Sequence, residues 1–84
     1  MLHLIATSNQ LAQLLAASRR QAGFTQAEAA SRIGVSQSRI SALETDASAL
    51  TLTQLLALCG AYGLQLQVSD KHQPVPEPAP GVEW

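Results

Sequence analysis

The chain has 84 residues, 46% of them hydrophobic and 13% charged, with a formal net charge of −1 at pH 7. This length allows one small domain with appendages, and a single residue each of Phe, Tyr and Trp predicts a core of aliphatic side chains. No apolar run approaches the roughly 18 residues of a membrane-spanning helix, and no basic, then apolar leader begins the chain, so we expect neither a membrane protein nor an exported one.

The sequence contains no set of residues that is typical of a metal centre or an enzyme. Cys59 is the single cysteine, so it cannot form an internal disulfide and is interpreted as a small core residue in a reducing cytoplasm. His3 and His72 lie far apart, and no His, Cys and carboxylate set has metal-ligand spacing. There is also no nucleophile elbow and no Gly-rich phosphate loop. We therefore expect no enzyme, no metal and no cofactor.

One amphipathic helix is predicted in the first quarter of the chain. Residues 1–6 are apolar and uncapped, and they are interpreted either as a short strand or as an arm on the body of the protein. Thr7 and Gln10 have the spacing of a capping box, so a helix begins after Thr7. Leucines at helical spacing follow, and Gly23 ends the helix.

Two short helices joined by a tight turn are predicted in residues 25–44. The first begins at a second capping box, Thr25 with Glu28. It ends at Gly34, because glycine adopts the left-handed conformation without strain. Ser36 caps the second helix. The outer face of this second helix carries Gln37, Ser38, Arg39 and Ser41.

The C-terminal part of the folded body combines a helix with a strand pattern. Thr51 and Gln54 form a third capping box, and Gly63 ends the helix that follows. Its predicted buried stripe consists of Leu52, Leu55, Leu56, Cys59 and Tyr62. Residues 64–69 then alternate in polarity, with Leu64, Leu66 and Val68 on one face of a half-buried strand. Apart from residues 2–5 the chain offers this strand no partner, so the simplest arrangement is pairing with the same strand of a second subunit.

Composition changes after residue 69. Residues 70–84 contain all four prolines of the chain, which favours an extended, disordered tail. Trp84 at its end is either incidental or an anchor for a pocket of a partner protein. We therefore expect a folded and dimerising domain over residues 1–69 and a disordered Pro-rich tail over residues 70–84.

Residues 25–44 resemble the helix-turn-helix of the lambda-repressor-like family, also known as the Cro/C1 or XRE family. Ala29 stands where that family usually has a larger aliphatic residue. The resemblance implies a mostly α-helical domain of four or five helices, with one C-terminal β-strand that pairs across a homodimer and with double-stranded, palindromic operator DNA as its partner. The matching residues are Gln26, Ala30, Gly34, Ile40, Ser41 and Glu44.

This resemblance also implies roles for single residues. The second helix of the motif would lie in the major groove. Gln26, at the start of the preceding helix, would contact a phosphate of the DNA backbone. Arg39 either reaches a phosphate or is simply exposed. Arg19 and Glu44 match a pair of the family that forms a structural ion pair. The alternative for the outer face of the second helix is a solvated surface that binds no ligand. The implied base contacts are Ser36, Gln37, Ser38 and Ser41.

Charge is distributed unevenly along the chain. Up to Ser69 there are four arginines and three carboxylates, while the tail is acidic. The folded body is therefore slightly basic although the whole chain is not. Because so few cations could neutralise phosphates, we expect DNA binding with a shallow salt dependence.

Over its whole length the chain resembles the HipB-like antitoxins of bacterial type II toxin–antitoxin modules. Shared features are the capped helices, the Leu-rich strand and a tail that ends in Glu83 and Trp84. The resemblance implies a HipA-type serine/threonine kinase toxin as partner, an autoregulated operon, and a bacterial cytoplasmic location that is nucleoid-associated on the operator. Glu83 and Trp84 would then dock on the toxin or form a protease handle. Two alternatives stay open: a stand-alone or phage-type repressor without a toxin, and a protein-interaction module that does not bind DNA.

Overall fold

A computed structural model describes residues 2–71 of the chain. These residues form α1 (Ser8–Gln21), α2 (Gln26–Ile33), α3 (Gln37–Thr45) and α4 (Leu52–Tyr62), with a 3-10 turn at Ala47–Ala49 between α3 and α4. None of these helices is long and apolar enough to cross a membrane. The tail residues singled out above, Glu83 and Trp84, lie outside the described residues.

Capping boxes begin α1, α2 and α4, at the positions that the sequence predicts. In α2 the Thr25 hydroxyl accepts the Glu28 N–H at 3.1 Å, and the Glu28 carboxylate accepts the Thr25 N–H at 2.9 Å. Each box satisfies backbone donors that the first turn of a helix leaves without an intrahelical partner. At the other end of α2, Gly34 has a φ of 75°, in the left-handed region that glycine adopts without strain. This local chemistry sets the length of α2 and so the position of the turn before α3.

Replacing Glu28 by glutamine is expected to make the stability of the domain less sensitive to acid. The Thr25 N–H and hydroxyl hold the pKa of the Glu28 carboxyl below its usual value. Because the folded-state pKa is depressed, this stabilisation is present above the unfolded-state pKa and is lost as pH falls through the folded-state value. Glutamine still accepts the Thr25 N–H but does not titrate. Thermal unfolding from neutral pH down to about pH 2 should show a shallower fall for Glu28→Gln, and parallel curves would contradict the expectation.

The core lies where the four α-helices meet, and it fixes the orientation of α3. Helix α3 packs against both α1 and α2, and α4 packs against α1 and α2. Ile40 and Leu43 of α3 are 1% and 2% exposed, so the opposite face of α3 is turned toward solvent. Ala29, the small residue that departs from the family pattern, is fully buried. The central buried cluster consists of Leu15, Ala29, Ala30, Ile40, Leu58 and Tyr62.

The buried face of α4 differs from the predicted stripe. The sequence pattern predicts Leu52 and Leu56 inside, but their side chains are 64% and 51% exposed. Leu58 is buried in their place, together with Cys59 and Tyr62. Leucines lie on several sides of this helix, so helical spacing alone does not select the buried side. Packing against α1 and α2 determines which side of α4 is buried. It leaves Leu52 and Leu56, one helical turn apart, on the outer surface.

The predicted strand at residues 64–69 is not confirmed. Within residues 2–71 neither this segment nor residues 2–6 forms regular secondary structure. A strand needs a neighbour whose N–H and C=O groups complete the hydrogen-bond ladder. Leu64 packs against the core, whereas Leu66 and Val68 are 47% and 86% exposed. The apolar side chains of this segment are therefore only partly covered in the single chain.

Candidate nucleic-acid interface

The start of α2 and the outer face of α3 form one continuous polar surface. Its side chains are two amides, three hydroxyl-bearing side chains and the Ala42 methyl group, none of which carries a formal charge. Amides and hydroxyls can both donate and accept hydrogen bonds, which is the chemistry needed at base edges and at phosphate oxygens. A shallow, open cavity of about 450 Å³ on this surface is lined by Gln26, Gln37, Ser38, Ser41, Ala42 and Thr45.

Most of the residues that the sequence singles out for DNA contact lie together at this cavity. Gln26 comes from α2, and Gln37, Ser38 and Ser41 come from α3. Ser36 lies at the end of α3 rather than in the cavity lining. Its hydroxyl oxygen accepts the backbone N–H three residues along the chain at 3.1 Å and so caps the helix. The Ser36 hydroxyl hydrogen is still a donor that a nucleic acid could accept.

Two lining residues, Ala42 and Thr45, are absent from the set that the sequence predicts. They follow Ser38 and Ser41 by four residues each, so they continue the same stripe of the helix. That spacing could have identified them. Thr45 donates its hydroxyl to the Ser41 carbonyl oxygen at 3.2 Å, which holds its methyl and hydroxyl in a fixed orientation at the end of α3.

The Arg39 side chain is hydrogen-bonded to other residues of the protein. Its Nη2 donates to the Ala49 carbonyl oxygen at 2.8 Å and to Gln54 Oε1 at 3.1 Å. Gln54 is also the capping-box residue of α4, where its Oε1 accepts the Thr51 N–H at 3.4 Å. Arg39 therefore ties α3 to the start of α4. The guanidinium has further N–H groups with which it could reach a phosphate.

Replacing Arg39 by alanine is expected to lower the free energy of unfolding by about 1–2 kcal/mol, because two hydrogen bonds from a half-buried charged group are lost. Urea unfolding measures the change. Arg20→Ala is the matched control: Arg20 is exposed at the end of α1, so its removal should cost clearly less. If Arg39→Ala were no less stable than Arg20→Ala but bound DNA more weakly, a phosphate contact would be the main role of Arg39.

Three side chains next to the polar surface form a hydrogen-bonded network. Arg19 Nε donates to Glu44 Oε2 at 2.6 Å and Arg19 Nη2 donates to Glu44 Oε1 at 3.2 Å. The two side chains are only 11% and 10% exposed. Gln26 Nε2 donates to Glu44 Oε1 at 3.2 Å, so the network includes a residue of the cavity lining. Arg19 Nη1 also donates to the Phe24 carbonyl oxygen at 2.8 Å.

This network links three helices through one carboxylate. Arg19 belongs to α1, Gln26 begins α2, and Glu44 lies near the end of α3. The hydrogen bond to Glu44 raises the pKa of Arg19 above its ordinary value, so the guanidinium stays charged. Glu44 is therefore neutralised from the side of α1 while it accepts a neutral amide N–H from the side of α2.

Among residues 2–71, no group of three or more His, Cys, Asp or Glu side chains could hold a metal ion. Cys59 is buried, and burial raises the pKa of its thiol. A thiol with a raised pKa is protonated at neutral pH and is a poor nucleophile. Cys59 therefore acts as a small core residue of α4.

Comparison with known proteins identifies relatives of this arrangement. Residues 10–70 match the family model described as a helix-turn-helix domain. The chain is 32% identical to the antitoxin HipB of Escherichia coli strain K12 over an alignment of length 82 that covers 95% of this chain and 93% of the relative. Its structure is similar to a complex of a HipB variant with an O2 20mer, with a TM-score of 0.74, 32% identity, and coverage of 84% of this chain and 99% of that one. A HipA–HipB–O2–O3 complex gives a TM-score of 0.73 and 31% identity, with coverage of 83% and 99%.

Proposed function

Because the chain belongs to the helix-turn-helix domain family, as a HipB-like antitoxin of the XRE type, we propose that it is a DNA-binding transcriptional repressor that also neutralises a toxin. In this proposal a homodimer binds palindromic operator DNA, inhibits a HipA-type serine/threonine kinase and represses its own operon in the bacterial cytoplasm. The observation that carries the DNA-binding part is the shared cavity of α2 and α3, lined by uncharged donors and acceptors.

Helix α3 enters the major groove in this proposal, with its polar face against the base edges. Gln37, in the first turn, can form two hydrogen bonds with adenine, because its amide oxygen accepts from N6–H and its amide N–H donates to N7. Ser38 and Ser41 can donate to or accept from several bases, and the Ala42 methyl group can contact a thymine methyl. The buried side chains of α3 hold this face outward, so the helix is presented to DNA without a change of fold.

Phosphate contacts come from the start of α2 and from neutral side chains. Gln26 is the first residue of α2, where the backbone N–H groups and the helix dipole favour an anion. Arg19 is neutralised by Glu44, whereas Arg39 donates to the uncharged Ala49 and Gln54 oxygens and keeps its positive charge, so this surface offers few cations to phosphates. Few counterions are therefore released on binding, and the salt dependence of DNA affinity should be shallow.

The second subunit covers apolar surface that the single chain leaves exposed. Leu52 and Leu56 lie on the outside of α4, and Leu66 and Val68 lie in the segment that follows it. A copy of segment 64–69 related by a two-fold axis would complete the missing strand ladder and bury these side chains. Two copies of α3 would then read half-sites about 34 Å apart, one turn of the duplex.

The toxin partner is proposed from the relatives, because a HipA–HipB–O2–O3 complex is similar in structure. Glu83 and Trp84 remain the proposed docking peptide or protease handle, on the basis of the sequence alone. Native-host pull-down of the tagged protein, with mass spectrometry and DNA sequencing, tests the whole proposal. Recovery of a kinase together with the protein's own promoter supports it. DNA without a protein partner would indicate a stand-alone repressor, and a protein partner without DNA would indicate an interaction module.

The same pull-down, together with a measurement of the rate at which the protein is degraded in the cell, tests the tail. A chain that lacks residues 82–84 should recover less kinase or persist longer in the cell, whereas its DNA recovery should be unchanged because the tail lies outside residues 2–71 that carry the polar surface. If kinase binding and turnover both matched those of the full chain, neither proposed role of Glu83 and Trp84 would hold.

Replacing Gln37 by alanine is expected to cost about 1–3 kcal/mol of discrimination at one base position, because a bidentate contact with a base is lost. Binding to a set of operator duplexes with single base changes measures this loss. Gln13→Ala is the matched control, since Gln13 is an exposed glutamine of α1 outside the cavity lining. Unchanged base preference for Gln37→Ala would exclude Gln37 from direct readout.

A further inference from the structure

We propose that Glu44 is a positioning residue, which orients the Gln26 side chain for contact with a DNA phosphate and is itself held in place by Arg19. This inference rests on the proposed DNA binding and deepens it. It assigns a role in DNA recognition to two charged residues that do not line the polar cavity. In this role neither residue needs to touch the DNA.

The geometry of the Gln26 amide supports this role. Gln26 lines the cavity at the start of α2, and its Nε2 donates to Glu44 Oε1 at 3.2 Å. An amide nitrogen has two N–H groups fixed in one plane. When one N–H is directed at Glu44, the direction of the other is set, and it remains available for a phosphate oxygen. The rotamer entropy that a free glutamine would lose on binding DNA has then already been lost in the folded protein.

Arg19 makes a carboxylate acceptable at this place. A free carboxylate next to a phosphate would repel it, because like charges that are poorly hydrated interact strongly. Arg19 donates to both oxygens of Glu44, at 2.6 and 3.2 Å. The pair has little contact with water, since each side chain is about one-tenth exposed. Glu44 can therefore act as a hydrogen-bond acceptor for Gln26 without presenting an unbalanced negative charge to the DNA.

Arg19 is in turn fixed by the backbone. Its Nη1 donates to the Phe24 carbonyl oxygen at 2.8 Å, just before the cap of α2. The guanidinium thus contacts the segment that enters α2 and the carboxylate near the end of α3 at the same time. This arrangement relates the start of α2 to α3, so the phosphate contact and the base contacts of the two helices keep a constant separation.

A double-mutant cycle on DNA affinity tests the inference. The four proteins are the full chain, Gln26→Ala, Glu44→Met and the double variant, each titrated against the same fragment of the protein's own promoter. Loss of the Gln26 contact should weaken binding by about 3- to 10-fold in the natural background. In the Glu44→Met background the same Gln26→Ala change should weaken binding by a clearly smaller factor, because methionine has no oxygen to accept the Gln26 amide N–H and Gln26 is no longer oriented there.

The cycle separates positioning from a general structural or electrostatic effect. Any change in folded fraction or in net charge caused by Glu44→Met is present both with and without Gln26→Ala, so it cancels from the comparison. Equal losses from Gln26→Ala in the two backgrounds would overturn the inference, and so would an absence of any loss in the natural background. If the full chain itself bound no promoter DNA, the proposed function would fail instead.

A second variant guards against a folding defect in Glu44→Met. Arg19→Lys keeps a cation beside Glu44 but loses the two-point contact that fixes the carboxylate. The Gln26→Ala loss should shrink in this background too. Duplexes with single uncharged methylphosphonate groups add a local measurement. Glu44→Met should reduce the effect of the methylphosphonate at the phosphate that Gln26→Ala also affects, and it should leave the effects at the other phosphates unchanged.

Discussion

Replacing Ile40 by alanine is expected to lower the free energy of unfolding by about 2–5 kcal/mol, the usual range for an aliphatic side chain truncated in a core. Ile40 is 1% exposed and belongs to the central cluster. It lies on α3, which packs on both α1 and α2, so the surrounding helices cannot close the cavity without moving α3. Since small domains have total stabilities of only about 5 kcal/mol or slightly more, a large part of the protein should be unfolded.

Ile40→Val is the matched control for this change. It removes one carbon and keeps the branched shape, so the expected loss is only about 0.5–1.5 kcal/mol. Urea unfolding followed by circular dichroism measures both variants. Losses of equal size for alanine and valine would mean that Ile40 does not fill the space between α1, α2 and α3. DNA affinity, corrected for the folded fraction, should stay near that of the natural chain for Ile40→Val.

Features that depend on residues near in sequence were predictable. The three capping boxes and Ser36 as a cap follow from side chains that bond backbone groups three residues away. Gly34 follows from the backbone conformation that ends α2. Because these signals bound α2 and α3, the polar stripe with Gln37 and Ser38 could be placed on a helix surface from the sequence alone.

Features that depend on distant or missing neighbours were not predictable. Leu58 rather than Leu52 is buried in α4, because packing against other helices decides among several leucines. Arg39 bonds to groups 10 and 15 residues away, which no local pattern indicates. The strand expected at residues 64–69 requires a pairing partner that the single chain does not supply.

The polar surface itself was predictable in part. The family resemblance pointed to Gln26 and to the face of α3, and the structure brings these residues to one cavity. The hydrogen bond between Gln26 and Glu44 was not foreseen, because it joins residues 18 positions apart on two different helices. A family pattern assigns roles to positions one at a time, whereas the contacts between those positions depend on how α2 crosses α3.

Replacing Arg19 by methionine is expected to lower the free energy of unfolding by about 3 kcal/mol, because Glu44 is left with an uncompensated charge in a site with little water. The value lies at the lower end of the range for buried pairs, since each side chain is still about one-tenth exposed. Methionine retains much of the length and apolar volume of the arginine stem, so the loss reports the missing charge and hydrogen bonds more than lost packing. Urea unfolding at neutral pH measures the change.

The double variant Arg19→Met/Glu44→Met identifies the origin of that loss. If the cost of Arg19→Met comes from the stranded carboxylate, removing the carboxylate as well should recover most of the stability, because replacing both partners by apolar groups is often nearly neutral. Gln26, which is only half-buried, can then turn its amide toward water. If the double variant were as unstable as Arg19→Met, the loss would instead come from the Arg19 bond to the Phe24 carbonyl oxygen. Recovered stability with weakened DNA binding would show that this ion pair serves recognition more than folding.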